Sequence, residues 1–156
     1  MMIFDRILED IETAITLLKK LKSGTSLTTS EKNALERGTL TVNTLNRIEN
    51  KQAELSDILY QWKYLKEPLE TKTWVQTDFF KAGDMNRFVY NTNTLRDSFF
   101  LSNSDIPYPT TEYTITAFNA IEETLQNVSD LVDNTSRLFQ MSGAVTAGQS
   151  VLFPTT

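Results

Sequence analysis

The chain has 156 residues, of which 40% are hydrophobic and 22% are charged, and these proportions are typical of a folded domain with a sizeable core. Its net charge of −5 argues against binding to nucleic acid, whose phosphates attract clustered Lys and Arg. The absence of Cys and His excludes thiol nucleophiles, disulfides, imidazole bases, and metal sites built from thiolates or imidazoles.

The first long helix is predicted over residues 3–22. Gly24 follows it and can adopt the left-handed conformation that ends many helices. A short helix comes next, with Thr28 and Glu31 as its capping box and Gly38 at its end. The long helix is predicted because apolar residues recur at helical spacing: Phe4, Leu8, Ile11, Ile15 and Leu18.

Three further long helices are predicted, and Thr41 and Thr114 are the expected N-caps of the first and the last of them. The first of these helices is expected to end before Pro68, since the residue before a proline is pushed out of helical geometry. An extended connection with aromatic side chains, among them Trp74, separates this helix from the next one. The predicted bounds are about 41–66, 82–101 and 114–141.

The starts of these three helices repeat one another, which indicates an internal repeat. Each start has an apolar residue, Asn, any residue and a second apolar residue: Leu45-Asn46-Arg47-Ile48, Met85-Asn86-Arg87-Phe88 and Phe118-Asn119-Ala120-Ile121. From there each helix continues in the same register with a seam of residues spaced by three and four. The three seams are Leu45, Ile48, Gln52, Leu55 and Leu59; Met85, Phe88, Thr92, Leu95 and Phe99; and Phe118, Ile121, Leu125, Val128 and Val132.

Five residues of the repeat are assigned structural roles at the helix starts: Asn46, Arg47, Asn86, Arg87 and Asn119. Each Asn is expected to hold the loop that enters its own helix, because its amide bonds readily to backbone groups near a helix start. Each Arg is expected to contact an acid or loop carbonyls at its own helix start. The alternatives are a ligand-binding role for the Asn residues and a free surface position for the Arg residues.

The predicted fold class is all-α, an antiparallel bundle of about four long helices and one short helix over residues 1–141. The polar seam residues Gln52 and Thr92 are expected to set the register between helices. Residues 142–156 are a predicted non-helical, extended arm, which folds back on its own bundle or binds a neighbouring subunit. We favour the neighbour, and the expected partner-binding residues are Val151, Leu152 and Phe153.

Three segments resemble small tail and baseplate-region proteins of bacteriophages that infect Gram-positive hosts. Leu40-Thr41-Val42-Asn43-Thr44-Leu45-Asn46-Arg47-Ile48-Glu49 resembles their "D-L-N-R-I-E" phrase, with Thr44 in place of the acid. Lys72-Thr73-Trp74 leading to Asp84-Met85-Asn86-Arg87 is similar to a second phrase, and Tyr113 to Glu122 resembles a third helix start, although Val89 replaces the Glu and Ala120 replaces the third Arg. The resemblance implies a virion structural protein of the tail region that contacts other phage structural proteins and forms homo-oligomers.

The residues do not favour an enzyme, since catalysis without His or Cys needs a carboxylate pair, a Lys, or a Ser with an unusual base. Glu122 and Glu123 are expected on different sides of a helix, and Asp130 and Asp133 fit a solvated face. No glycine-rich phosphate loop is present, and no cofactor is expected. Two hypotheses remain: a virion tail or baseplate component, or a soluble helical adaptor or regulator made during infection.

A location in a membrane is not expected. No apolar run approaches the roughly 20 residues that cross a bilayer. The N-terminal region contains Asp5, Glu9 and Asp10 where a signal peptide would be apolar. We therefore expect a protein that is made in the host cytoplasm and ends in the virion.

Overall fold

The computed structural model describes residues 2–99 and 108–145, with side chains up to residue 140. This part of the chain contains five α-helices and no β-strand, so the all-α fold class is confirmed for it. None of these helices is long and apolar enough to cross a membrane. The helices are α1 (Leu8–Lys22), α2 (Thr29–Gly38), α3 (Val42–Gln61), α4 (Ala82–Ser98) and α5 (Ile115–Val145).

The N-terminal residues preceding α1 are not helical, so the prediction of a helix from residue 3 was wrong. The carboxylate of Asp10 accepts a hydrogen bond from the backbone N–H of Ile7 at 2.9 Å, which caps α1 at Leu8. The backbone groups of Ile3 and Arg6 instead bond to side chains of α5. Backbone groups that are used in this way are not available for a helix.

Three other helix ends differ from the predicted bounds. α3 stops at Gln61 instead of near residue 66, because Lys63 takes a left-handed conformation with φ of 67° and the chain turns away. α4 ends at Ser98, three residues earlier than expected. α5 continues past Gly143 to Val145, so residues 142–145 of the predicted arm are helical. The rest of that arm, residues 146–156, lies outside the described residues.

The core is formed by α3, α4 and α5, each of which contacts the other two. The predicted seams lie at the centre of these contacts, and all fifteen of their members are buried. Gln52 and Thr92 are fully buried with the apolar members, and Leu125 occupies the equivalent position on α5. The internal repeat therefore corresponds to three helices that share one core.

The three core helices run in the same direction, which differs from the predicted antiparallel order. Near their middles, the Nε2 of Gln52 donates to the Oγ1 of Thr92 at 2.9 Å. Near their ends, the rings of Trp62 and Phe99 have centroids 5.9 Å apart, and Trp62 also meets Phe139 at 6.1 Å. Positions that are equivalent in the repeat thus lie at the same level, which is the arrangement of parallel helices.

Helices α1 and α2 form an antiparallel hairpin. The end of α1 meets the start of α2 where Lys20 pairs with Glu31 at 2.6 Å. At the other end of the hairpin, Gly38 lies directly against the backbone of Asp10 and the side chain of Ala14. The capping box predicted at the start of α2 is confirmed, since Thr28 and Glu31 bond to each other's backbone N–H groups.

The apolar seam predicted for the first helix is largely exposed. Leu8, Ile15 and Leu18 have 65%, 48% and 42% of their surfaces accessible. The buried residues of α1 are Ala14 and Leu17, which lie on another side of the helix. Within residues 2–99 and 108–145, the seam is therefore a surface feature and not part of the core.

Candidate functional site

The start of α3 binds an extended segment that precedes α4. The amide of Asn46 donates to the carbonyl of Trp74 at 3.0 Å and accepts from the backbone N–H of the same residue at 2.7 Å. The indole of Trp74 is itself buried in the core. We call this pair of hydrogen bonds the Asn46 clamp. It holds the aromatic connection between two core helices against the first of them.

The start of α5 repeats the arrangement on a different segment. The amide of Asn119 donates to the carbonyl of Arg6 at 2.9 Å and accepts from its backbone N–H at 3.3 Å. We call this pair the Asn119 clamp. The N-terminal segment before α1 therefore lies against α5 as the segment around Trp74 lies against α3.

The two clamps do not hold the loops that the sequence analysis predicted. Asn46 and Asn119 each bind a segment remote in the chain, and not the loop that enters their own helix. Asn86, the equivalent residue of α4, is exposed, and its side chain makes no hydrogen bond within the described part of the chain. Two of the three predicted Asn residues thus have the same contacts, and the third does not.

Below the Asn46 clamp, a buried carboxylate connects α3, α4 and the aromatic connection. Glu49 is 1% exposed. It accepts two hydrogen bonds from Arg87, at 2.9 and 2.6 Å, together with the indole N–H of Trp74 at 3.0 Å and the backbone N–H of Lys72 at 3.1 Å. Four donors from two elements therefore satisfy one acid of α3.

A second buried carboxylate has the same role below the Asn119 clamp. Glu122 is fully buried. It accepts from Arg47 at 3.1 and 3.0 Å, from Arg6 at 2.6 Å, and from the backbone N–H of Ile3 at 2.6 Å. Arg47 also pairs with Glu36 of α2 at 2.6 Å, which ties the hairpin to the core.

The ion pairs link each repeat to another one. The Glu of the first copy, Glu49, binds Arg87 of the second, and the Glu of the third copy, Glu122, binds Arg47 of the first. A third pair would need a Glu at Val89 and an Arg at Ala120. The sequence has neither this Glu nor this Arg, and Val89 and Ala120 are both buried.

The Arg contacts correct the prediction that each Arg pairs at its own helix start. Arg47 binds acids of α2 and α5, and Arg87 binds chiefly Glu49 of α3, with Asp84 of its own helix at a longer 3.6 Å. Burial acts to lower the pKa of Arg47, but the hydrogen bonds and charge of Glu122 outweigh it, so the pKa is raised. Both guanidinium groups therefore stay charged.

A buried polar network continues these contacts into the core. The Nε2 of Gln52 donates to the carbonyl of Phe88 and to Thr92, each at 2.9 Å. Its Oε1 accepts from Asn91 at 3.2 Å, and Asn91 also donates to the carbonyl of Glu70 at 2.8 Å. The network fixes the level of α3 against α4, which is the register role predicted for Gln52 and Thr92.

These contacts leave little free chemistry at the helix starts. Glu49 and Glu122 are each surrounded by donors from the chain itself. No group of His, Cys, Asp and Glu within the described residues could hold a metal ion. A cleft of about 370 Å³ lies beside the Asn119 clamp, between the hairpin and the core, and is lined mainly by apolar and Thr side chains, among them Leu40, Phe80 and Phe118.

Sequence reasoning missed Glu49 and Glu122 as the partners of the Arg residues. A signal was present, since a Glu follows the repeated Asn by three positions in both the first and the third copies. The predicted partner-binding residues Val151, Leu152 and Phe153 lie outside the described residues.

Comparisons with known proteins return no match. No protein-family model matches this chain, and neither a curated protein nor a solved structure is similar to it at a significant level.

Proposed function

We propose that this chain is a structural component of a phage or of a phage tail-like particle, located in the tail or baseplate and connecting other structural proteins. In this proposal it has no enzymatic activity, and its partners are other particle proteins and further copies of itself. The support comes from the phrase that resembles small phage tail proteins, read together with the contacts that the phrase makes.

The observation that carries the proposal is the position of the phrase residues. Asn46, Arg47 and Glu49 lie within four consecutive residues of the phrase, and together they bond to the aromatic connection, α2, α5 and α4. Arg87 of the second phrase closes one of these contacts. A phrase with this role specifies a rigid three-helix scaffold, and a rigid scaffold suits a subunit that holds other proteins in place.

The surface of the chain also favours a connecting role. Large apolar and aromatic side chains are exposed on several elements, and Phe79 has 82% of its surface accessible. Side chains of this kind are enriched at the centres of protein interfaces. Others that are at least 45% exposed are Ile7, Leu8, Ile15, Tyr64, Val75, Tyr90, Tyr108, Tyr113, Leu138 and Phe139.

The proposal assigns partner binding to Val151, Leu152 and Phe153. Three consecutive large apolar residues stand beside Pro154 in a terminal stretch without ionisable side chains. Such a segment lacks the charges that keep most free tails solvated. In the particle, it would bind a neighbouring subunit as an added extended segment.

The test is to purify particles from a lysate of cells that make this chain and to quantify the chain by mass spectrometry across a density gradient. We expect it to co-sediment with the particles at a fixed ratio to the other structural proteins. Recovery only in the particle-free fractions would reject the proposal and favour the adaptor or regulator. A chain lacking residues 146–156, expressed in place of the full chain, should be absent from the particles although it is folded.

A further inference from the structure

We propose that α1 is a self-association helix, through which two copies of this chain pair in an antiparallel orientation. The pairing surface is the exposed seam of Leu8, Ile11, Ile15 and Leu18, which we call the α1 seam. This inference goes beyond the proposed function and does not depend on it, because the pairing is a property of the purified chain.

The first step is the spacing of the seam. Its residues follow one another at intervals of three, four and three, which is the a and d pattern by which two helices pack against each other. The described part of the chain covers this face only in part, since Leu8, Ile15 and Leu18 are exposed and Ile11 is half-buried at the edge of the cleft. Among the described residues, no helix packs on this a and d seam in the way that its spacing fits.

The second step is the distribution of charge, which identifies a second copy as the partner. The exposed acids Glu9 and Glu12 lie in the first half of α1, and the exposed cations Lys19 and Lys22 lie in the second half. None of the four forms a salt bridge within the described residues. A helix with opposite charges at its two ends is complementary to itself when it is reversed.

The third step is the choice of orientation. In a parallel pair, the acidic halves would face each other and the basic halves would face each other, and like charges facing each other are unfavourable. In an antiparallel pair, each acidic half faces a basic half, and the helix dipoles are also opposed. Leu8 of one copy then lies opposite Leu18 of the other. The pair has a two-fold axis and is closed, as most homodimers are.

The first experiment measures the mass of the purified full chain in solution by light scattering and sedimentation. We expect a dimer that dissociates on dilution below about micromolar concentration. The double variant Ile15→Glu/Leu18→Glu should be monomeric with unchanged helicity, because both side chains are exposed. Phe79→Glu, which places a negative charge at another exposed apolar position, should leave the dimer intact. A monomeric full chain, or a dimer that persists in the double variant, would overturn the proposal.

A charge-reversal pair tests the partner without touching the seam. The variant Glu9→Lys/Glu12→Lys has a basic α1, and the variant Lys19→Glu/Lys22→Glu has an acidic α1. Each alone should be monomeric, and an equimolar mixture should form the heterodimer. Asp10 and Lys20 are kept, because they pair with Arg37 and Glu31 inside the hairpin. A mixture that stays monomeric would contradict self-pairing through α1.

Cysteine cross-linking determines the orientation, since the natural chain contains no Cys. The double variant Leu8→Cys/Leu18→Cys should form a disulfide-linked dimer on oxidation. Either single variant should not, because in the antiparallel pair identical positions would be about 15 Å apart, and a disulfide needs Cα atoms within about 7 Å. Efficient cross-linking of the single variants would show a parallel pair and overturn the proposed geometry. If the full chain is monomeric and dimerises only after residues 146–156 are removed, that segment covers the α1 seam and the proposal is wrong.

Discussion

At the scale of single residues, the Asn of the first and third copies of the repeat acts as a substitute for a peptide group. Its amide has a donor and an acceptor, so it can satisfy the N–H and the C=O of one extended residue at the same time. Asn46 does this for Trp74, and Asn119 does it for Arg6. An extended segment that is packed on a helix has no ladder partner, and the Asn supplies one.

The Asn46→Leu variant should lower the free energy of unfolding by about 1–3 kcal/mol, because it leaves the backbone groups of Trp74 without partners at nearly constant side-chain volume. Asn86→Leu is the matched control, since Asn86 occupies the same place in the repeat but is exposed. It should change stability by less than about 0.5 kcal/mol. Urea unfolding of both variants measures the difference. Equal losses would show that the clamp does not stabilise the fold.

A larger loss of stability is expected from substitution of Arg87, because its partner Glu49 is buried. Arg87→Ala leaves Glu49 buried without the one charged partner that it has among the described residues, and removal of one member of a buried pair costs about 3–5 kcal/mol. Lys51→Ala serves as the control, because its pair with Glu54 is at the surface and contributes at most about 1 kcal/mol. A double-mutant cycle with Glu49→Gln should show strong coupling. Additive effects of the two substitutions would contradict a direct pair.

At the scale of the helices, the sequence predicted which residues share a face but not what covers that face. Three-four spacing identified all fifteen buried seam residues of α3, α4 and α5. The same spacing on α1 identified a face that the described part of the chain leaves exposed. Helical periodicity reports the segregation of apolar side chains, and that segregation is the same whether the partner is the chain's own core or another molecule.

Helix direction could have been read from the connections. The segment between Gln61 and Ala82 is about 20 residues long, and an extended chain of that length spans up to roughly 60 Å. A helix the length of α3 is about 30 Å long, so the connection can return to the level of its start. Antiparallel neighbours need only short loops. The aromatic connection, held by the Asn46 clamp, is therefore long enough to let α3 and α4 run parallel.

The hairpin depends on the close approach of its two helices at Gly38. A Cβ at this position would overlap the backbone carbonyl of Asp10 and come within 2.5 Å of the Cβ of Ala14. Gly38→Ala should therefore destabilise the chain by about 1–3 kcal/mol. Gly83→Ala is the control, since nothing lies within 4 Å of its added Cβ, and it should be neutral or stabilising by up to about 1 kcal/mol. Thermal unfolding of both variants would separate the two cases, and a Gly38→Ala variant as stable as the natural chain would rule out the close contact.

The other end of the hairpin should respond to acid. Two hydrogen bonds lower the pKa of Glu31 from 4.5 to about 2. The one from Lys20 has the larger effect, and the one from the backbone N–H of Thr28 has the smaller. A lowered pKa means that the contribution to stability is present above pH 4.5 and is lost as the pH falls toward 2. The stability difference between the natural chain and Glu31→Gln should therefore shrink over that interval. A difference that is constant from pH 6 to about pH 2 would contradict the assignment.

At the scale of the whole molecule, the N-terminal segment completes the second clamp. Met2 is buried in the core, Arg6 pairs with Glu122, and the backbone of Ile3 donates to the same carboxylate. None of this was predicted, since residues 3–7 were assigned to the first helix. Contacts between residues more than 100 positions apart leave no local pattern in the sequence, and the apolar residues Ile3, Phe4 and Ile7 fit a helical stripe equally well.

The two ends of the chain should therefore respond differently to truncation. Deletion of residues 1–6 removes two donors to Glu122 and both backbone partners of Asn119, and leaves a fully buried carboxylate with Arg47 alone. A loss of about 3–5 kcal/mol is expected, because two hydrogen bonds to a charged group are lost at about 1.5–3 kcal/mol each. The point variant Arg6→Leu should lose part of this stability with the segment still present.

Deletion of residues 146–156 should leave the unfolding midpoint nearly unchanged, as expected of a segment that binds a neighbour. Urea unfolding of the three variants makes the comparison. If the C-terminal deletion were the more damaging of the two, the terminal apolar residues would belong to the chain's own core, and the assignment of partner binding to Val151, Leu152 and Phe153 would be wrong.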